Sequence, residues 1–580
     1  MSAHILARRL VAAATAAGVI ATPLAVVGLT AAPAHAVPVT INLVGINDFH
    51  GRMNLSEDTS SAKNTNTVKF AGTVANVAAS SPNPIVVGAG DLIGASDFAS
   101  SIAKDQPTID VLNTIGLEAS AVGNHEFDAG WTDLKDRVMG PTDDAASATD
   151  ADWDYLGANV YAKGTTTPAM QEYATFDKGG VTVAVVGAVT QETSSLVSPD
   201  GITALDFGDP IVAVNRVAGQ LSDGNAANGE ADVIVASFHA GAQTGTGGSS
   251  PSTYEKEIAK GGEFAKMASL DASVDVIFNG HTHQVYAWDA PIPGQPGKTR
   301  PIIQTGEYGN NVGQVVLTVD DVTGEVISYV SKNVPRTTET VAELVAKYPA
   351  TVGKVKDIVD AALANARLIG NVKVGTISAD ISRAYDGTTE DRGSESPLGD
   401  LVANALRDKL PTKFGKPDIG VTNPGGLRTD LLFKANTTDN PGNTDGVVTY
   451  AEVASVLPFS NDTSIVSLTG AQFKEVLEQQ WQPAGSSRPF LALGLSDNVQ
   501  TILDPTQPVG SRVTSVFVNG KLLDPAATYK ISTFTFLAAG GDNFTSFKKG
   551  TSSVTGLLDR DLFRQFFEAS GAVAPDFARQ

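Results

Sequence analysis

The sequence predicts a protein of two α/β domains joined by a helical segment. The 580-residue chain is too long for one hydrophobic core, since single cores stop growing at roughly 250–300 residues. On both sides of residues 337–368, short runs of β-branched residues alternate with helix-compatible segments. The intervening segment instead carries apolar residues at the spacing of an amphipathic helix. We therefore expect a first domain at 37–335, a linker helix at 336–369 and a second domain at 370–580.

Residues 1–36 have the order of a secretory signal peptide. Arg8 and Arg9 precede an apolar run that ends at Ala34-His35-Ala36, a small-x-small cleavage site. We expect cleavage after Ala36, export to the extracellular space or cell envelope, and no stable membrane insertion afterwards. The alternative is an uncleaved anchor, because the apolar run approaches the roughly 20 residues that span a bilayer.

Composition limits the classes of function. The chain has no cysteine, so its stability must come from core size and bound metal rather than from disulfides. A formal charge of −22 argues against a protein that coats nucleic acid, so a nucleic-acid polymer is not the expected partner. A small anionic substrate is compatible with this charge if metals and a few arginines reverse the potential locally. The sequence does not indicate the oligomeric state.

Histidines mark a candidate site in the first domain. Strands are predicted at 39–46, 85–88, 120–122, 181–189, 233–237 and 274–278. Five histidines each follow one of these strands, namely His50, His125, His239, His281 and His283, and Asp48, Asp91 and Asn124 occupy similar positions. Ligands bind outside the carboxyl ends of strands in α/β sheets, so these side chains are expected to converge. Asp, Asn and His together suit borderline or hard divalent metals.

The spacing within two short segments predicts how the ligands point. In Asp48-Phe49-His50 and in His281-Thr282-His283, residues two apart on an extended backbone face the same way. Both members of each pair can therefore face one ion. Taken alone, any one of these histidines is equally compatible with an ordinary surface or core position that binds no metal.

The order Asp-x-His, Gly-Asp, Gly-Asn-His-Glu, a lone His and Gly-His-x-His resembles the calcineurin-like metallophosphoesterase family. The resemblance implies a four-layer α/β/β/α domain that binds two divalent ions, of Zn, Mn, Co or Mg. By position, one ion would be held by Asp48, His50 and His283, the other by Asn124, His239 and His281, and Asp91 would bridge them. Family members closest to this chain often have Gln or Asn where His283 stands, so this site is richer in imidazole and its metal preference is open.

Two further residues match the catalytic pair of that family. His125 resembles its catalytic histidine, and Asp128 resembles the carboxylate that orients it. A two-metal centre of this kind hydrolyses phosphoesters, and a protonated His125 would stabilise charge on the phosphoryl group. The alternative role for Asp128 is a helix N-cap near Trp131.

The second domain again mixes strands, at 419–422, 463–468 and 529–533, with helices at 398–406 and 470–480. Three segments resemble the mixed α/β, nucleotide-binding C-terminal domain of secreted 5′-nucleotidases and UDP-sugar hydrolases. They are residues 391–401, residues 422–428, and residues 534–544 together with Leu457-Pro458-Phe459. Family members usually have Gly where Pro424 stands.

The resemblance assigns roles in this domain. Arg392 and Arg428 would meet the phosphate, Phe459 and Phe536 would sandwich the base, Asn423 would bond to the base edge, and Asp542 would bind the ribose hydroxyls. An aromatic slot accepts any base, because every base has a π-face. Core packing of each Phe and surface placement of each Arg are the alternatives.

The resemblance therefore implies a secreted two-metal phosphoesterase that hydrolyses nucleoside 5′-monophosphates to nucleoside and phosphate. Three alternatives stay open: a 2′,3′-cyclic nucleotide phosphodiesterase with 3′-nucleotidase activity, a nucleotide-sugar or dinucleotide pyrophosphatase, and a secreted nucleotide-binding protein without catalysis. Because metals and base slot lie in different domains, we expect the domains to close across a hinge in or near residues 337–368.

Overall fold

The structure is a computed structural model that describes residues 38–56, 65–140, 150–197, 199–247, 251–437, 440–459, 461–483, 486 and 488–576. The predicted signal peptide at 1–36 lies outside these ranges. No helix within them is both long enough and apolar enough to cross a bilayer.

Two six-stranded sheets form the centre of the first half of the chain. Its strands are β1 (Pro38–Ile46), β2 (Pro84–Ala89), β3 (Leu117–Ala121), β4 (Asp154–Leu156), β5 (Val160–Ala162), β6 (Tyr173–Lys178), β7 (Val181–Val189), β8 (Leu205–Phe207), β9 (Val233–His239), β10 (Val276–Asn279), β11 (Val285–Pro291), β12 (Thr299–Thr305), β13 (Asn311–Asp320) and β14 (Val326–Pro335). The sheet orders are β14-β13-β1-β2-β3-β4 and β11-β12-β10-β9-β7-β6, and β5 pairs with β8 separately.

Helices cover the outer faces of both sheets. They are α1 (Thr67–Ala79), α2 (Phe98–Ser101), α3 (Gln106–Thr114), α4 (Trp131–Asp133), α5 (Thr193–Leu196), α6 (Pro210–Gln220), α7 (Tyr254–Lys260), α8 (Gly262–Ala268), α9 (Val341–Lys347) and α10 (Lys354–Gly370). One apolar core joins the facing sides of the two sheets, a second packs α1 and α3 on the first sheet, and a third packs α6 and α8 on the second. The predicted α/β/β/α layering is therefore confirmed.

Strand direction brings the candidate site together. In the first sheet β1, β2 and β3 run parallel. In the second sheet β7, β9, β10 and β12 run parallel. The carboxyl ends of parallel strands meet at one edge of a sheet, so the loops that follow them are neighbours.

The segment predicted as one linker helix is two helices, and that prediction is wrong in this detail. Helix α9 ends before Tyr348, whose backbone is not helical (φ −130°, ψ 63°), and a single π-turn at Pro349–Gly353 leads into α10. Proline disfavours the helical conformation in the residue before it, which explains the break. Leu344 and Val355 from the two helices belong to the same apolar core as α1 and α3.

A mixed α/β fold also forms the second half of the chain, as predicted. Its strands are β15 (Lys373–Ile377), β16 (Tyr385–Asp386), β17 (Thr389–Glu390), β18 (Ile419–Thr422), β19 (Val447–Thr449), β20 (Asp462–Thr469), β21 (Gly494–Leu495), β22 (Val499–Leu503), β23 (Val513–Val518), β24 (Lys521–Leu522), β25 (Thr528–Phe534), β26 (Thr551–Leu558) and β27 (Ala572–Val573). Its helices are α11 (Pro397–Asp408), α12 (Tyr450–Val456), α13 (Gly470–Glu478), α14 (Thr535–Ala538) and α15 (Asp559–Ala569). The main sheet has the order β21-β18-β25-β20-β26, with an apolar core around α11 and α15 and another around α13.

Helix α12 connects the second half to the first. The Tyr450 ring meets the Phe98 ring edge-on, with centroids 5.8 Å apart. Ala454 is part of the core that contains α1 and α3. A Cβ atom on Gly370 would come within 2.5 Å of Phe98 and 2.8 Å of Ala451, so α2, α10 and α12 are in close contact. The segment that follows α12 therefore lies at the edge of the first domain.

Candidate active site

The predicted metal ligands gather where the parallel strands end. Three overlapping groups of possible ligand atoms form there, and the atoms of each group lie within 4.8 Å of one another. The first group is Asp48 with His50 and His283, the second is Asp91 with His239 and His281, and the third, which shares residues with both, is His50 with Asp91 and His125. In the first group, His283 Nε2 lies 3.3 Å from Asp48 Oδ1 and 3.3 Å from His50 Nε2.

Asp91 belongs to the second group and also lies beside the first. Its Oδ2 is 3.0 Å from His239 Nε2 and 3.7 Å from His50 Nε2, one atom from each group. Asn124 joins the second group, with Oδ1 3.1 Å from His239 Nε2. Asp91, Asn124 and His239 are all buried. One carboxylate thus faces both groups.

The backbone of the ligand loops departs from the sequence-based expectation. Five of the predicted ligands have left-handed φ values between 48° and 71°, namely Asp48, His50, Asp91, His281 and His283. The extended backbone expected in the two short segments is therefore wrong. His281 and His283 lie in different groups, which is the assignment that the resemblance implies. Left-handed conformations cost about 1–3 kcal/mol each and persist only where surrounding structure imposes them. Here backbone hydrogen bonds do so, from Asp48 N to Gly90 O (3.0 Å) and from His50 N to Asp91 O (3.0 Å).

Hydrogen bonds to backbone carbonyls fix the tautomers of two histidines. His50 Nδ1 donates to Gly94 O (3.0 Å), and His239 Nδ1 donates to Ala89 O (2.8 Å). A carbonyl can only accept, so Nδ1 carries the hydrogen and Nε2 presents its lone pair to the centre. Burial also lowers the pKa of His50, and burial together with His239 lowers that of His281 to about 3. Burial opposes protonation of His239, but the Asp91 carboxylate outweighs it and raises the pKa of the ring to about 9, so a divalent cation would displace a proton there. His50 and His281 already have the neutral form that a cation requires.

Glu126, which the sequence analysis did not single out, stabilises the loops of the centre by hydrogen bonds. Its buried carboxylate accepts hydrogen bonds from the backbone N–H groups of Asp91 (2.9 Å), Leu92 (2.8 Å) and Gly123 (2.5 Å). Burial raises the pKa of Glu126 to about 7. The residue ties the Asp91 loop to the Asn124 loop, and its place inside Gly-Asn-His-Glu was the signal for it.

His125 and Asp128 form the predicted pair. His125 Nδ1 donates to the Asp128 carboxylate at 2.9 Å and 3.0 Å. Burial opposes protonation of His125, but the carboxylates of Asp128 and Asp91 outweigh it and raise the pKa of the ring. The N-cap role for Asp128 is wrong, because Gly130 caps α4 and Asp128 Oδ2 instead accepts from Ala95 N (3.0 Å).

Three segments of the second domain meet around Gly425. A Cβ atom there would come within 3.4 Å of Asp542 Oδ2 and 3.6 Å of Arg392 Nη1. Asn423 Nδ2 donates to the same Asp542 oxygen at 2.6 Å. Burial raises the pKa of Asp542. Glycine at this position lets the backbone lie close to these polar groups.

Pro424 fits the loop in which family members usually have glycine. Asn423 is extended (φ −94°, ψ 151°), the conformation favoured before a proline. Pro424–Gly426 then form one 3₁₀ turn that begins with the proline. A fixed φ suits this first position, so the substitution keeps the turn.

A carboxylate holds Arg392. Arg392 Nε donates to Glu390 Oε1 (2.6 Å), and Arg383 Nη1 donates to Glu390 Oε2 (2.6 Å). Glu390 and Arg383 were not found from the sequence, because ion pairs between loops leave no spacing pattern. The pair restricts where the Arg392 guanidinium can point.

Phe459 lies against the first domain. Its ring stacks on that of His125, with centroids 5.6 Å apart and an interplanar angle of 11°. The Arg428 guanidinium carbon is 5.6 Å from the Phe459 centroid. Phe536 instead packs directly over Gly541, where a Cβ atom would collide with its ring. The base sandwich between Phe459 and Phe536 stays a prediction.

The turn after β12 adds Glu307 and Tyr308, and the loop after β1 adds Arg52; the sequence analysis missed all three. Glu307 Oε2 is 2.5 Å from His283 Nδ1. The Tyr308 ring lies 5.8 Å from the rings of both His50 and His283, and the Arg52 guanidinium carbon lies 3.8 Å above the Tyr308 centroid. Glu307 follows a strand end, so the rule that located the histidines could also have found it.

The fold and site define the class of protein. Residues 41–285 match the calcineurin-like phosphoesterase family, and residues 370–549 match the 5′-nucleotidase C-terminal domain family. The chain therefore belongs to the metallophosphoesterases that carry a 5′-nucleotidase C-terminal domain, a class of metal-dependent phosphoric ester hydrolases.

Two individual relatives and one solved structure resemble this chain over most of its length. The chain is 31% identical over 552 residues to a cell wall protein of Listeria monocytogenes, covering 90% of this chain and 66% of that protein. It is 26% identical over 519 residues to the endonuclease YhcR of Bacillus subtilis, covering 87% and 37%. The chain thus spans less than two thirds of the length of both relatives. The crystal structure of a 5′-nucleotidase precursor from Thermus thermophilus shares the fold, with a TM-score of 0.67, 22% identity and coverage of 93% and 98%.

Proposed function

We propose that the protein is an exported two-metal phosphoesterase that hydrolyses nucleoside 5′-monophosphates to nucleoside and phosphate. The observation that carries the proposal is the stack of Phe459 on His125, with Arg428 beside it. It joins the nucleotide-recognition half to the histidine-rich centre. A phosphate at that centre would have a guanidinium and an aromatic ring within reach.

The donor set supports two ions that share one carboxylate. Asp48, His50 and His283 would hold one, Asn124, His239 and His281 the other, and Asp91 would contact both. Divalent ions in such a centre polarise the phosphoryl oxygens and lower the pKa of water toward ~7. Zn, Mn, Co and Mg are the candidates.

His125 supplies the proton chemistry. Its Nδ1 hydrogen is engaged by Asp128, which leaves Nε2 to donate to an oxygen of the phosphoryl group. The carboxylates that raise its pKa favour the protonated form required for this role. Asp128 keeps the ring in one orientation.

The second domain binds the rest of the nucleotide. Arg428 and Arg392 present guanidinium groups, whose planar fork matches phosphate oxygens. Asp542 would accept from the ribose hydroxyls, and Asn423 would bond to the base edge. The cluster of Asn423, Asp542 and Arg392 around Gly425 supports a single binding site.

Export is supported by relatives outside the cytoplasm. A relative named as a cell wall protein aligns over 90% of this chain. Edman sequencing of the mature protein tests the proposal, and we expect its N-terminus at Val37.

Substrate comparison tests the activity. We expect metal-dependent release of phosphate from AMP to be faster than hydrolysis of 2′,3′-cyclic AMP or UDP-glucose. A relative named as an endonuclease makes single-stranded DNA a necessary fourth substrate, and the charge of −22 predicts little cleavage of it. Faster turnover of any of the other three would replace the nucleotidase assignment, and nucleotide binding without turnover of any would favour a binding protein.

Replacing Phe459 and Phe536 together by alanine should raise KM for AMP by at least about tenfold. Stacking is worth about 1–3 kcal/mol per base, and 1.4 kcal/mol is about tenfold in affinity. Steady-state kinetics with AMP measure the effect.

The single variant Phe536→Ala gives the cleaner control, since Phe459 also touches His125. It should raise KM for AMP while leaving hydrolysis of a small chromogenic phosphodiester unchanged. Equal losses on both substrates would mean that Phe536 supports the fold instead of the base.

A further inference from the structure

His283 is a candidate metal ligand with both ring nitrogens engaged. Its ring spans two sets of groups. Nε2 lies 3.3 Å from Asp48 Oδ1 and from His50 Nε2, while Nδ1 lies 2.5 Å from Glu307 Oε2. One ring nitrogen thus faces the centre and the other is engaged by a carboxylate behind it.

The turn that carries Glu307 is fixed to the loops of the centre. Gly306 N donates to Gln284 O (2.9 Å), next to His283 in the chain. Tyr308 N donates to Asp48 O (2.8 Å). Glu307 is therefore held between two backbone anchors, one on each ligand loop.

An aromatic ring and a cationic group lie beside His283. The Tyr308 ring contacts the His283 ring edge-on at 5.8 Å, and Arg52 stacks on Tyr308 at 3.8 Å. Glu307 Oε2 accepts at 2.5 Å from His283 Nδ1, so the hydrogen of the pair resides on the ring.

We propose that Glu307 is a positioning residue that fixes His283 Nε2 on the cation shared with Asp48 and His50, and that biases this half of the centre toward Zn²⁺ or Co²⁺ over Mg²⁺. A carboxylate behind a ligating imidazole sets its tautomer and raises its basicity. Imidazole suits Zn²⁺ and its neighbours, whereas Mg²⁺ prefers oxygen ligands. The inference rests on the proposed two-metal centre.

Metal binding by the full-length protein tests the proposed role of Glu307, and this measurement does not depend on catalytic activity. Metal-free wild type and variants are dialysed against Zn²⁺ or Mg²⁺, and bound ions are counted by elemental analysis. Glu307→Ala should weaken one of two Zn²⁺ sites about 10- to 100-fold, the usual effect of losing such a partner, and should alter Mg²⁺ binding less. Glu307→Gln should weaken it less, because an amide oxygen still accepts from Nδ1. Glu255→Gln, on the exposed face of α7, is the matched control and should bind as wild type.

A double-mutant comparison separates positioning from general support of the fold. In a His283→Gln background, Glu307→Ala should cause no further loss of Zn²⁺ affinity, because the carboxylate acts through the imidazole. An equal loss in both backgrounds, or full Zn²⁺ affinity in Glu307→Ala, would overturn this inference while leaving the two-metal centre intact. If wild type binds no divalent ion, the proposed function itself fails. Thermal unfolding of each metal-free variant identifies any variant that is misfolded. If Glu307→Ala is misfolded, the comparison of Zn²⁺ affinity between Glu307→Gln and wild type decides the matter.

Discussion

Replacement of His125 by alanine is expected to lower kcat for AMP by at least about 100-fold while both ions stay bound. A positioned proton donor contributes about 10²–10⁴-fold to a rate. The ring is held through Nδ1 by Asp128, and neighbouring carboxylates raise its pKa in spite of burial. Its backbone N–H donates to Asp91 Oδ1 (2.8 Å), and alanine keeps that bond. Kinetics and elemental analysis on the same preparation measure both effects.

Metal content decides between two roles for His125. Its ligand atom lies within 4.8 Å of those of His50 and Asp91, so a third ligand group is geometrically available. Loss of an ion from His125→Ala would make the residue a ligand and not a proton donor. Asp128→Asn should lower kcat less, and in the His125→Ala background it should cost little more, since residues that act as a unit are not additive.

The location of the centre was predictable because it follows from a rule of α/β sheets. Parallel strands end at one edge, and the sequence marks those ends with buried β-branched runs followed by polar residues. Asp48, Asp91 and His239 were found in this way. Glu307 obeys the same rule but was overlooked, because one glutamate after one strand carries no spacing signal.

Local backbone conformation was not predictable. Asp48 and His50 are two residues apart, and that spacing indicates one face only if the chain is extended. Their left-handed φ values of 49° and 48° are imposed by hydrogen bonds from other loops. Tertiary contacts of this kind are absent from any local pattern.

The linker segment shows a similar limit to prediction from sequence. Pro349 is visible in the sequence and accounts for the break after α9. The sequence does not show that Leu344 and Val355 are buried in the core of the first domain. Their burial argues against rotation within residues 337–368, the segment expected to contain the hinge. A domain movement would then occur at or after Gly370, where α10 ends.

Asp91→Asn is expected to have the largest effect of any single substitution, at least about a thousand-fold on turnover of AMP. Metal-ion catalysis supplies several kcal/mol, and about 1.4 kcal/mol corresponds to a factor of ten. Asp91 faces both ligand groups, with Oδ2 3.0 Å from His239 Nε2 and 3.7 Å from His50 Nε2. Asparagine has nearly the same shape but removes the charge that two cations would share.

Elemental analysis and kinetics together test this expectation. Asp91→Asn should bind both ions more weakly, and chelation should abolish wild-type turnover until Zn, Mn, Co or Mg is restored. Asp360→Asn, an exposed change on α10 that breaks only an ion pair with Lys356, should behave as wild type. Full activity in exhaustively demetallated wild type would contradict the two-metal mechanism. Two tightly bound ions in inactive Asp91→Asn would instead show that the carboxylate orients the reacting groups, because its contact with His125 N couples the centre to the proton donor.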